Sequence, residues 1–211
     1  MPRLRSVLMF VCCSIAAGGA GAIAAVPSPT NSTVPACMAP CPLGDMPFPV
    51  VVRDPGNNPV IGSSVVIDFT QCPGAYLCPG IPTDPYLTDP VGRTLRATTG
   101  AGGSVTFPAR VGGIGGLGSV RVFADGVLLA SLALASPDQD GDGMVVSIIG
   151  LDDPAFAAKL GTTNPTADFD CDGDVDSVDE QIFFHHHSHS CYGYVDPARR
   201  GTWGTLKAHY R

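Results

Sequence analysis

Between residues 48 and 136 the apolar positions come in short runs punctuated by turn chemistry: PVVVRD, PGNNPV, SSVVIDF, TLRATT, SVTFPAR, SVRVFADG and VLLASLALA. Val, Ile and Thr dominate these runs, and the punctuation recurs at roughly 8 to 12 residues, which marks strands joined by tight turns. None of the runs has a helical period. Asp125-Gly126 between two of them predicts a type I′ hairpin, since both central residues of that turn need positive φ. The pattern predicts an antiparallel β-sandwich over 47–136 and a mostly β chain.

Beyond residue 137 the period changes. Pro154 followed by AFAAKLG reads as a short helix ending on Gly161, and DEQIFFHHHSH as a second one with Ile182, Phe183 and His186 on adjoining faces. At the other end, Arg3 and Arg5 precede an uncharged run closed by small Ala residues, which predicts a secretory signal peptide over 1–25. No other apolar stretch approaches spanning length, so no membrane span is expected after its cleavage. Residues 26–46 are rich in Pro, Ser and Thr without periodicity and read as a cysteine-bearing linker, with a sequon pattern at Asn31. The 192–211 tail carries Trp203, and the 3- and 4-residue spacings of Trp203, Leu206 and Tyr210 fit a short amphipathic helix.

Charge sharpens the division at 137. The chain carries 12 Lys+Arg and 19 Asp+Glu, net -7, which excludes nucleic acid as a partner for want of a basic face. All the acids but Glu180 are Asp, a bias toward turns and oxygen-ligand loops. Over 137–191 twelve acids stand against Lys159 alone, a balance of -11. Such density is solvated, disordered or neutralised by metal.

Spacing selects metal. Asp168, Asp170, Asp172, Asp176 and Asp179 occupy positions 1, 3, 5, 9 and 12 of a twelve-residue loop, with Gly173 at 6, Asp174 at 7 offering its carbonyl, and Val175 at 8. That is the EF-hand-type calcium pattern, in which hard oxygens on alternating positions converge on one ion. Asp138, Asp140 and Asp142 repeat its start 30 residues earlier, with Met144 at position 7. Position 12 there is Ile149, so Asp152 or Asp153 serves only if the backbone bulges, and loop 2 is expected to be the stronger site. Calcium is therefore the expected cofactor, and its binding is expected to fold 137–191.

Two resemblances follow from these residues. VVVRDPGNNPVIGSSVVIDF, TTGAGGSVTF and VRVFADG resemble bacterial Ig-like and carboxypeptidase-regulatory-like domains, implying an Ig-like sandwich that serves as spacer, stalk or adhesive module. The paired loop-helix units of 137–191 resemble the type I dockerin of cellulosomes, which implies a small helical calcium module recognising a cohesin-like or other extracellular protein. In dockerins, positions 10 and 11 of each loop contact the partner; here these are Ser147 and Ile148, and Ser177 and Val178.

Catalytic signatures are missing. The sandwich contains no histidine, and Gly113 to Gly118 matches GxGxxG but is followed by a strand where a nucleotide fingerprint needs a helix. Asp54, Asp68, Asp84 and Asp89 sit beside turns and read as turn caps. His185 and His189 are spaced i, i+4, enough to chelate a transition metal from one helix face, though no third ligand is evident. Six cysteines remain after signal cleavage, an even count that implies disulfides, with Cys171 to Cys191 expected inside the acidic module and Cys37, Cys41, Cys72 and Cys78 pairing among themselves. The sequence thus describes a secreted, extracellular, non-enzymatic calcium-binding protein that mediates attachment or assembly. The alternative is a carbohydrate-binding accessory of a polysaccharide-degrading complex, with Tyr76 and Tyr86 as sugar platforms.

Overall fold

The computed structural model describes residues 25–115, 118–145 and 151–191. The expected signal peptide (Ala25 apart), Ser147, Ile148, Ile149, the 192–211 tail and the Tyr76 side chain lie outside the described residues. The chain is mostly β, as its periodicity predicts. Ten strands, β1 (Cys37–Met38), β2 (Pro47–Val51), β3 (Ser64–Asp68), β4 (Ala75–Leu77), β5 (Leu87–Asp89), β6 (Thr94–Thr98), β7 (Ser104–Pro108), β8 (Val111–Gly113), β9 (Val120–Ala124) and β10 (Val127–Leu134), precede two helices, α1 (Asp152–Ala157) and α2 (Ser177–His185).

Six strands form one sheet in the order β1-β10-β9-β3-β6-β5, and β2-β7 and β4-β8 form two antiparallel pairs. Period-2 alternation drives one face of each inward: Val65 and Ile67 of β3, Leu95 and Ala97 of β6, and Val120 and Val122 of β9 share one core with Phe48 and Val50 of β2, Phe107 of β7 and Val111 of β8. This is a β-sandwich-like arrangement. Asp125 and Gly126 both have positive φ, 46° and 83°, and close the β9-β10 hairpin as a type I′ turn. Strand β9 follows the glycine-rich segment, which excludes a dinucleotide fingerprint. Glycine at 113 has a packing reason: a Cβ there would lie 2.2 Å from the Gly74 carbonyl oxygen. Asp54, Asp84, Asp89 and Asp68 cap turns as expected, Asp54 accepting the Asn58 N–H, Asp84 that of Ile81, Asp89 those of Val91 and Gly92, and Asp68 that of Thr70.

Residues 26–46 do not behave as a linker. β1 pairs in parallel with β10, Thr33 bridges Val51, and the Ser28 N–H donates to the Arg53 carbonyl. Backbone groups pair whether or not side chains alternate, so a Pro-rich segment with no periodicity still borders the sheet. Ala39 and Met46 of this segment pack on a second core made by Ala135, at the end of the sandwich, and by Val145, Phe156, Ala167, Phe169, Val175 and Phe183 of the acidic module.

The disulfides correct the expected pairing. Cys37 joins Cys171 and Cys78 joins Cys191, with Cα atoms 5.6 and 5.1 Å apart, so both bridges tie the sandwich to the acidic module. Cys41 and Cys72 stay outside these bridges, buried. Assigning bridges by sequence neighbourhood fails because the module folds back onto the sandwich and onto residues 37–46, which makes the nearest cysteines in space remote in sequence. Among the described residues, no helix is long and apolar enough to cross a membrane.

Candidate metal centres

Each acidic loop gathers three carboxylates. In loop 2, one oxygen each from Asp168, Asp170 and Asp179 lies within 4.8 Å of the others. In loop 1 the trio is Asp138, Asp140 and Asp152. Asp152 stands three residues beyond the position that the twelve-residue pattern assigns to the closing ligand, so loop 1 does not lack a closing carboxylate. The sequence named it only as a substitute requiring a bulge.

The two loops are built by the same hydrogen bonds. Asp168 accepts the N–H groups of Asp172 and Gly173; Asp138 accepts those of Asp142 and Gly143 and also that of Gly141. The Asp179 Oδ1 accepts from Phe169 and Asp170, and the Asp152 Oδ1 from Gln139 and Asp140. Each carboxylate is thus held from behind by backbone donors, the way a loop with alternating acids closes without self-repulsion deciding its shape. Asp172 and Asp142 turn to the N–H groups of Asp174 and Met144, and Asp176 caps α2 through Val178 while Asp179 returns to the Asp176 N–H, a capping box. Asp172, Asp142, Asp174 and Asp176 do not belong to the two trios, and Asp174 and Met144 are exposed.

An exchange of strand-like contacts relates the units by pseudo-twofold symmetry. Val175 of loop 2 pairs with Gly161 and Thr162 after α1, and Val145 of loop 1 pairs with Ser188 and His189 after α2. Gly161 and Ser188, nine residues beyond Asp152 and Asp179, both take positive φ, 76° and 70°. Phe156 and Phe183, four residues beyond the same aspartates, stack at 4.5 Å with planes 7° apart, and Phe169 joins them. The His187 Nε2 lies 3.1 Å from the Asp153 Oδ1, linking the turn after α2 to α1.

Burial and like charge both act on these carboxylates. Burial pushes the Asp138 carboxyl up to about 6, against N–H donors from Gly113 and Gly143 and with help from the charges of Asp142 and Asp140. Asp170 is raised by burial and by Asp179 and Asp172, and exposed Asp174 by Asp172. Lys159, the module's only base, is lowered by burial and bonds Gln139. No Lys or Arg among the described residues pairs with Asp168, Asp170 or Asp179.

The correspondence of Asp152 with Asp179 also changes which residues of the two units match in sequence. Counting back from each closing aspartate, the counterparts of Ser177 and Val178 are Gly150 and Leu151, not Ser147 and Ile148. Val178 is 43% exposed and Leu151 66%, one apolar side chain at the start of each helix. Tyr86 is no sugar platform: it is buried, and its hydroxyl donates to the Pro108 carbonyl. The expected His185/His189 pair is not formed on a helix face either, because α2 ends at His185 and the chain reverses at Ser188. No family model, curated protein or solved structure matches this chain.

Proposed function

We propose that this is a secreted, non-enzymatic attachment protein in which an Ig-like sandwich carries a dockerin-like module that binds two calcium ions and presents its helix starts to an extracellular protein partner. The observation that carries the reading is the pair of aspartate trios closed by the same backbone hydrogen bonds. Their donors suit the ion: hard carboxylate oxygens, which the Met144 and Asp174 carbonyls at position 7 and water would complete to six to eight ligands. Asp138, Asp140 and Asp152 would hold one calcium and Asp168, Asp170 and Asp179 the other. Bound ions would supply the positive charge that each crowded trio of carboxylates requires. Two disulfides suit an oxidising compartment.

Leu151 and Val178 are the apolar anchors that this reading assigns to the partner face, and pseudo-twofold symmetry gives either one to the same kind of pocket. Capture of binding proteins from the host's secreted fraction, with calcium and with chelator, tests it. The expected result is a calcium-dependent complex that survives Leu151→Asp or Val178→Asp singly and is lost in the double variant, with Ser147 and Ile148 replaceable. A complex indifferent to the double variant would remove these side chains from the interface.

A further inference from the structure

A third cluster uses different chemistry and different segments. Cys41 and Asp45 lie in the turn before β2, His186 and His189 in the turn after α2, and one ligand atom from each falls within 4.8 Å of all the others. The Cys41 Sγ is 3.1 Å from the His189 Nδ1, which is 3.2 Å from the His186 Nδ1. The Asp45 Oδ2 is 3.3 Å from the His186 Nδ1 and 3.6 Å from the His189 Nδ1.

We propose that Cys41, Asp45, His186 and His189 form a binding site for a borderline divalent transition metal, zinc foremost, separate from the calcium loops. The spacing of the ligand atoms is the first sign. Zinc bonds of about 2.0–2.3 Å to N, O and S put neighbouring ligand atoms about 3.3–3.8 Å apart around a tetrahedron, close to the four separations found here. The second is a count of protons and lone pairs. The His189 Nδ1 faces sulfur, nitrogen and oxygen at once, yet carries at most one proton or one lone pair. Hydrogen bonding satisfies one of those contacts, whereas a central ion uses each ligand's lone pair once.

Charge agrees. One thiolate, one carboxylate and two neutral imidazoles sum to two negative charges, cancelling the ion in a place where Cys41 and His186 are buried. Binding forms a sulfur–metal bond and releases the Cys41 proton to solvent, with no change of oxidation state. Sulfur and two nitrogens select zinc, cobalt, nickel or copper over calcium, whose ligands are oxygens. Both turns are preset. Gly44 takes φ 81° with Arg110 and the Pro108 carbonyl oxygen 2.7 Å from the place of a Cβ, and Ser188 takes φ 70° while the His189 N–H returns to the His186 carbonyl. Asp45 is exposed and His189 half-buried, which leaves a side open for the ion. The metal would staple residues 41–45 to the end of α2, beside the Cys78–Cys191 bridge.

The test loads the whole chain with calcium, so that the acidic loops are filled, and titrates it with zinc by calorimetry and with cobalt by absorption. The expected result is a single zinc per chain, and with cobalt a thiolate-to-metal charge-transfer band with the visible spectrum of a tetrahedral site. Cys41→Ser abolishes the band and His189→Gln weakens binding by about 100-fold or more, while Cys72→Ser and His185→Ala change neither. Should Cys41→Ser fail to fold, the wild-type spectrum and His189→Gln decide alone. No zinc bound by the wild type, cobalt bound without a sulfur band, or a band that survives His189→Gln with unchanged affinity would overturn the proposal.

Discussion

At the scale of single residues the acidic loops store charge that the fold must hold in place. Asp138 is the sharpest case, its carboxyl buried, held by backbone N–H groups and raised to about 6 from 3.8. A folded pKa above the unfolded one stabilises the fold when the group is protonated: the contribution is complete below 3.8 and lost as pH rises through about 6, a span worth roughly 3 kcal/mol. Without metal, Asp138→Asn is therefore expected to gain stability over the wild type as pH rises through that window. His186 is lowered by burial and pulls the opposite way, but it cancels in the comparison. Urea midpoints of the two proteins in chelator across the window check this, and a constant difference would contradict it. With calcium the order reverses, since the ion needs the charge that Asn lacks.

At the scale of elements, each loop-helix unit lacks a core of its own and finds one in its counterpart. Phe183 is fully buried, stacked on Phe156 and Phe169, so Phe183→Ala is expected to cost about 3–5 kcal/mol and to loosen α1 as well as α2. Helix content and hydrogen exchange of both helices report it; loss confined to α2 would break the pairing. Much of this was legible in the sequence. The Val-, Ile- and Thr-rich runs marked β2, β3, β6, β7, β9 and β10 but not the short β1, β4, β5 and β8. Asp125-Gly126 marked the hairpin, and the spacing from Asp168 to Asp179 a closed loop. The Asp152 closure was not, because the pattern fixes ligand spacing only for an uninterrupted loop, and three extra residues move the carboxylate beyond it. Nor was the Cys41, Asp45, His186 and His189 cluster: its halves are remote in the chain, and only the reversal at Ser188 brings His189 beside His186.

At the scale of the molecule, two long-range disulfides set how the module behaves when no metal is bound. Cys37–Cys171 and Cys78–Cys191 span 134 and 113 residues, and in the chain-entropy account each removes roughly 4–5 kcal/mol of unfolded-state freedom. Chelator alone is thus expected to loosen 137–191 while the bridges keep it near the sandwich, and chelator with reductant to melt it and leave the β core folded. Hydrogen exchange by segment checks this; equal exchange with and without reductant would show that the bridges hold nothing. The cysteine partners were illegible for the same reason that they matter, since they depend on how two modules pack and not on either one's sequence. Calorimetric titration of the whole chain with calcium counts the ions that the two aspartate trios take up. The account predicts two ions per chain, one lost in Asp152→Ala and the other in Asp179→Ala. A single site untouched by Asp152→Ala, or no calcium bound at all, would contradict it.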